Sequence, residues 1–149
     1  MIRRFVPEDR TLFLEMTDEF YHTHAVDHTI PKENMERTFD TVTEGSPYAA
    51  GVILERDGVP AGYALISLTY SNEAGGICVL LEEIYVRESF RGCGLGKEFF
   101  AWAEAEYPEA RRFRLEVTPS NTRAAALYRR LGFEPLEYLQ MIKDRGTAD

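Results

Sequence analysis

The sequence predicts an α+β fold, sandwich-like, with a mixed and mostly antiparallel central sheet and helices on both faces. Three observations carry this expectation. Asp57-Gly58 lies between two apolar runs and reads as a hairpin turn. An apolar strand pattern at Ile77–Val86 runs into a glycine-rich turn, Arg91–Lys97, that opens a helix pattern. A second strand pattern, Phe113–Val117, follows that helix, so the strand–helix–strand order predicts a parallel, right-handed crossover.

The elements follow from local patterns. Met1–Phe5 is a short strand, and Pro7-Glu8-Asp9 forms the first turn of a helix carrying Leu12, Phe13, Met16 and Phe20 on one face. Pro31-Lys32-Glu33 starts a second helix with Met35, Phe39 and Val42 in register. Tyr48–Arg56 and Pro60–Tyr70 are strands flanking the hairpin turn, and Ile77–Val86 completes the meander after a polar loop at 71–76. The helix from Leu95 to Tyr107 turns Leu95, Phe99, Trp102 and Ala103 inward. A further helix runs from Thr122 to Leu131, closed by Gly132 in the left-handed cap position with Phe133 behind it. A final strand is expected at Tyr138–Lys143.

A chain of 149 residues, 44% hydrophobic and 28% charged, fits a single domain spanning 1–149. No apolar run approaches the roughly 20 residues of a membrane helix, and Met1–Pro7 lacks the apolar stretch of a secretory signal. A cytoplasmic protein without membrane partners is expected, and with it two unpaired cysteines, Cys78 and Cys93. The net charge of −8 argues against nucleic acid, which demands a basic face. It permits a cationic substrate. The cations concentrate near the glycine turn and the later helix, at Arg87, Arg91, Lys97, Arg123, Arg129 and Arg130.

Gly92, Gly94 and Gly96 allow close backbone approach to a ligand, and a helix start offers unpaired N–H groups and the positive end of a dipole. Anion binding and a purely steric need for glycine both fit the turn alone. The dinucleotide spacing is excluded because Lys97 and Phe99 stand where its third glycine would fall. The phosphate-loop spacing is excluded by Arg91 and Glu98.

Arg91, Gly94 and Gly96 do fit Arg-x-x-Gly-x-Gly, after a strand ending Glu83-Ile84-Tyr85-Val86. This resembles the coenzyme-A-binding motif of the GNAT superfamily of N-acetyltransferases. Asn121, Ala124, Leu127, Tyr128, Gly132 and Phe133 resemble that superfamily's second signature, in the same order along the chain. The resemblance implies the GNAT fold, with the strands 77–86 and 113–117 splaying apart to admit the cofactor. It also implies acetyl-CoA as co-substrate, no metal, and direct transfer of acetyl to a primary amine in a ternary complex.

Residue by residue, the resemblance assigns Arg91, Gly92, Cys93, Gly94, Leu95, Gly96 and Lys97 to the pyrophosphate, and Ile84, Tyr85 and Val86 to the pantetheine through their backbone. Asn121 is implied as a further cofactor contact, and an N-cap role is equally open to it. Tyr128 is implied as the general acid for the leaving thiolate, on the inward face with Ala124, Leu127 and Leu131. Leu81-Glu82-Glu83-Ile84-Tyr85-Val86 resembles the equivalent strand of polyamine and related small-amine acetyltransferases, whose first acid faces substrate, so Glu82 is expected as the base. Adjacent strand residues point to opposite faces, so Glu82 and Glu83 cannot act as one pair. Glu83 or water stays open in that role.

Tyr21, His22 and Asp27 fall where the superfamily often walls its acceptor pocket. His24 and His28 have helical spacing but lack the companion ligands of a metal site. A small cationic amine is the expected acceptor, a protein amine or a non-catalytic acyl-CoA-binding domain being the alternatives. A homodimer is the commonest assembly and the expected one.

Overall fold

The computed structural model describes residues 1–23, 26 and 28–146. His24 and Asp27, both singled out above, lie outside the described residues. Two compact units appear, Met1–Thr118 and Pro119–Asp149.

The first unit is a five-stranded sheet in chain order: β1 (Ile2–Arg4), β2 (Ala49–Arg56), β3 (Val59–Ser71), β4 (Gly76–Val86) and β5 (Arg112–Leu115). The first three pairings are antiparallel and β4–β5 is parallel. Asp57 (φ 52°) and Gly58 (φ 76°) make the tight turn between β2 and β3, because both positions need left-handed backbone. Two helices, α1 (Arg10–Tyr21) and α2 (Lys32–Thr43), precede β2.

Phe13, Met16 and Phe20 of α1 and Met35 and Phe39 of α2 pack with Phe5, Ile53, Tyr63 and Tyr85 into one buried cluster. Full burial of a side chain of this size contributes about 1.5–3 kcal/mol, so this cluster fixes α1 and α2 to one face of the sheet. On β2, Val52 and Leu54 alternate with Ile53 and are also fully buried, which assigns them to the opposite face. There α3 (Leu95–Glu106) packs through Leu95, Phe99, Phe100 and Ala103.

A charged clasp holds the start of the chain to the sheet. Arg3 donates through both terminal nitrogens to the Asp9 carboxylate, at 2.7 and 2.9 Å, and through Nε to Glu55 Oε1 at 2.6 Å. Burial acts to raise the Asp9 carboxyl, but the bonds from Arg3 and from the Val6 N–H outweigh it and hold the group below the usual carboxylate range. A carboxyl so depressed stabilises the fold fully above its unfolded pKa, about 3.9, and loses that contribution as pH falls through the folded value. Thermal melts should therefore weaken below about pH 4, and Asp9→Asn should flatten this acid limb while costing roughly 2 kcal/mol at neutral pH.

The second unit contains α4 (Thr122–Arg130). Asn121 caps it: the side-chain oxygen accepts from the Ala124 N–H at 3.3 Å. At the other end Gly132 (φ 91°) donates to Arg129 O and Phe133 donates to Tyr128 O, both at 3.0 Å. This is the doubly bonded ending expected from the sequence, and the Tyr128 and Phe133 rings meet edge to face across it at 6.2 Å. The strand expected at Tyr138–Lys143 is absent: residues 134–146 form neither helix nor strand among the described residues. Leu139, Met141 and Ile142 are each almost fully exposed.

Candidate active site

The sheet opens where β4 leaves β5. Register between the two strands runs only from Cys78–Arg112 to Leu81–Leu115. Beyond it, β4 continues for five residues, Glu82 to Val86, with β3 on one side and, among the described residues, no strand paired on the other. A run of backbone groups left on such an edge can hold an extended, amide-bearing ligand as an added strand would. Ile84, Tyr85 and Val86 lie on this run.

The turn that follows faces outward. Gly92 and Gly94 adopt φ values of 80° and 83°, and Gly94 caps α3 with its carbonyl accepting from Glu98 N at 3.0 Å. No side chain caps this helix start, and among the described residues the backbone N–H groups of 92–97 have no hydrogen-bond acceptor. A Cβ built at Gly92, Gly94 or Gly96 would meet nothing within 4 Å, so the backbone here stands open. The residues thus fit an anionic ligand: unpaired donors at the positive end of a helix, with no side chain in the way.

The side chains refine the picture. Arg91 donates through Nε to Val86 O at 3.1 Å, folding the turn back onto the end of β4. Lys97 is exposed beside it. Leu95 buries its side chain in the core and offers only its backbone. Cys93 is exposed and its carbonyl accepts from Arg56 at 2.7 Å, while the same Arg56 nitrogen binds Glu98 at 2.8 Å. Arg56, at the end of β2, was missed by sequence reading and pins the turn from behind. Arg87, grouped above with the cofactor-side cations, is instead paired to Glu19 at 3.0 Å.

Glu82, expected as the base, is not the more buried of the two acids. Glu82 is exposed and accepts a hydrogen bond from Ser67. The reason is a bulge: Leu65 pairs Glu83 but Ile66 pairs Leu81, leaving Glu82 as an extra residue. Glu83 pairs Leu65, which packs against the α1 cluster, and Glu82 bonds Ser67 on the same face of β3, so the extra residue brings both acids to this side, Glu83 half-buried and Glu82 exposed. The Glu83 carboxylate accepts from Tyr21 at 2.5 Å and from Tyr63 at 2.8 Å. Burial pushes the Glu83 carboxyl up; the two tyrosine bonds oppose this without cancelling it, and Glu82 nearby adds to the rise.

Beside this trio, the Tyr85 hydroxyl donates to Glu19 at 2.8 Å, and burial together with that bond lifts the phenol to about 12. Burial acts to raise Glu19, but bonds from Arg87 and Tyr85 leave it depressed. A charged, neutralised pair therefore lies next to an unneutralised carboxylate, Glu83, which has no cationic partner among the described residues. Tyr21 ends α1, and His28 packs edge-on to its ring at 6.2 Å. His22 is exposed, its Nδ1 2.7 Å from Asp18 O, and does not join this group. Within the second unit, Tyr128 lies on the half-buried side of α4 with Ala124, Leu127 and Leu131, and burial raises its phenol.

Residues 11–133 match the acetyltransferase (GNAT) family. The chain belongs to this family. A Bacillus subtilis (strain 168) relative, named as a candidate ribosomal protein bS18-alanine N-acetyltransferase, is 30% identical over 128 residues, covering 85% of this chain and 80% of the relative. Among solved structures, the aminoglycoside acetyltransferase AAC(6')-Iy in complex with a bisubstrate analogue has a TM-score of 0.79 at 23% identity, covering 97% of both chains. A possible acetyltransferase from Clostridium difficile 630 has the same TM-score, 0.79, at 13% identity and the same 97% coverage of both. These likenesses show the GNAT fold. No helix among the described residues is long and apolar enough to cross a membrane.

Proposed function

We propose that this GNAT acetyltransferase transfers the acetyl group of acetyl-CoA to the primary amine of a small cationic molecule, by direct attack in a ternary complex. The observation that carries the reading is the β4 segment Glu82 to Val86, beyond its pairing with β5, leading into a turn whose backbone donors at 92–97 have no acceptor among the described residues. Bound acetyl-CoA would supply an activated thioester. Backbone groups of Ile84–Val86 would hold its amide-bearing arm, and the turn, with Arg91 and Lys97, its phosphates. Structures of AAC(6')-Iy in complex with CoA support the assignment of the ligand.

An amine is protonated at neutral pH and must lose a proton before it attacks. Glu83 is the base in this reading: it lies on the same β4 segment, it lacks a cationic partner, and its raised pKa suits proton uptake. Tyr128 is proposed as the acid that protonates the departing thiolate, on the strength of its place in the second signature. Neither cysteine is proposed as a nucleophile, since Cys78 is buried in β4 and Cys93 belongs to the turn. A second reading, transfer to a protein's N-terminal amine, is favoured by the relative whose name gives it a ribosomal-protein substrate.

The test is release of free thiol from acetyl-CoA with polyamines, amino acids, aminoglycosides and an alanine-starting peptide. One class of amine should support turnover, and Tyr128→Phe should lower kcat by about 10–100-fold with the acetyl-CoA Kd unchanged. Tight acetyl-CoA binding with no thiol release from any amine would point to a non-catalytic acyl-CoA-binding domain.

A further inference from the structure

We propose that the Tyr21 hydroxyl is the group that takes the proton from the acceptor amine and hands its own to Glu83, so that the base acts through a tyrosine. This rests on the proposed acetyl transfer and adds a residue to its chemistry. Both carboxylate oxygens of Glu83 carry a tyrosine hydroxyl, Tyr21 on Oε1 and Tyr63 on Oε2. The two sides differ in access. Tyr63 is 0% exposed, wedged among Phe13, Phe20 and Tyr85. Tyr21 is only half-buried, at the last residue of α1, where the chain leaves the helix for the segment that carries His28.

A tyrosine hydroxyl has one proton and two acceptor lone pairs. Tyr21 spends its proton on Glu83, which leaves its oxygen able to accept from an ammonium. In the transfer, an N–H bond of the ammonium breaks and its electron pair stays on nitrogen. A new O–H bond forms on Tyr21, and the former Tyr21 proton passes to Glu83 Oε1. Tyr21 ends unchanged, the amine is neutral, and Glu83 is a carboxylic acid that returns its proton to solvent by the same route. Tyr63 is the positioning residue that fixes the carboxylate from the buried side.

Among the described residues, the titratable groups facing this relay are Tyr63 from β3, Glu82 on β4 and His28 beyond α1, with the Glu19–Arg87–Tyr85 set adjoining. None of them places a cation on Glu83.

The test is Tyr21→Phe, which keeps the ring against Phe20 and His28 and removes only the hydroxyl. With the best amine from the thiol-release panel, kcat should fall about 10–100-fold with the amine KM changed less than about threefold. The dependence of rate on deuterium fraction should be curved in the wild type, with two protons in flight, and become linear in the variant. An unchanged curve, or an effect on KM alone, overturns the relay. A second arm needs no turnover: carbon-13 NMR of labelled glutamates should show Glu83 titrating at higher pH in Tyr21→Phe, because a bond stabilising the carboxylate is gone. An unchanged Glu83 titration also overturns it. A wild type that titrates as expected but transfers acetyl to no amine refutes the proposed function instead, and with it the relay's role in turnover.

Discussion

Replacing Glu83 by glutamine is expected to lower kcat/KM for the amine by about 10²–10⁴-fold at neutral pH, the range that a positioned base supplies. The same change at Glu82 should cost less than about threefold. The contrast follows from the bulge, which leaves Glu82 exposed with Ser67 and turns Glu83 toward Tyr21 and Tyr63. Glutamine keeps the length, and its amide oxygen can accept from one tyrosine while its NH2 donates to the other's oxygen, so the fold should survive, and circular dichroism melts confirm it if Tm moves by only a few degrees. Acetyl-CoA affinity should change by less than about twofold, since the carboxylate side chain is not part of the β4 backbone edge. If Glu82→Gln proves the damaging change, the assignment of the base to Glu83 is wrong.

Gly96→Val should raise the Kd for acetyl-CoA by at least about 100-fold, or roughly 2.7 kcal/mol, without harming the free protein. Gly96 sits in the first turn of α3 with ordinary helical backbone, and a Cβ there meets nothing within 4 Å. Valine has the better helix propensity by a few tenths of a kcal/mol, so Tm of the free protein should hold or rise slightly. Fold and affinity thus move in opposite directions, a signature that a merely structural glycine would not give. Gly94 is less informative, because at φ 83° any side chain also strains the backbone. Calorimetric titration of both proteins with acetyl-CoA, beside thermal melts, measures the two effects separately.

The parts of this fold legible from sequence are those set by short-range patterns. The Asp57-Gly58 hairpin, the glycine turn opening α3 and the Gly132 ending of α4 lie where composition predicts, because each needs a backbone conformation that few residues supply. The bulge at Glu82 was invisible, since no glycine or other turn residue marks it and either acid suits an exposed extra position. That one residue brings Glu83 to the α1 side beside Glu82. Tyr63 and Tyr21 could have been suspected from the polar tips they carry into apolar segments, but their meeting at Glu83 depends on contacts 20 and 62 residues apart in sequence. The expected strand at Tyr138–Lys143 shows the converse limit: β-forming residue types state a preference that only a neighbouring strand can realise.

The most direct test of the account is the pH dependence of kcat/KM for the amine at saturating acetyl-CoA, measured in the wild type, Glu82→Gln and Glu83→Gln. Because Glu83 must be ionised to accept a proton and burial raises its pKa, activity should fall as pH drops through a value above the ordinary carboxylate range. Glu82→Gln should retain this acid limb, and Glu83→Gln should lose most of the rate and keep only the dependence set by the amine's own ionisation. An acid limb that persists unchanged in Glu83→Gln would contradict the assignment of the base.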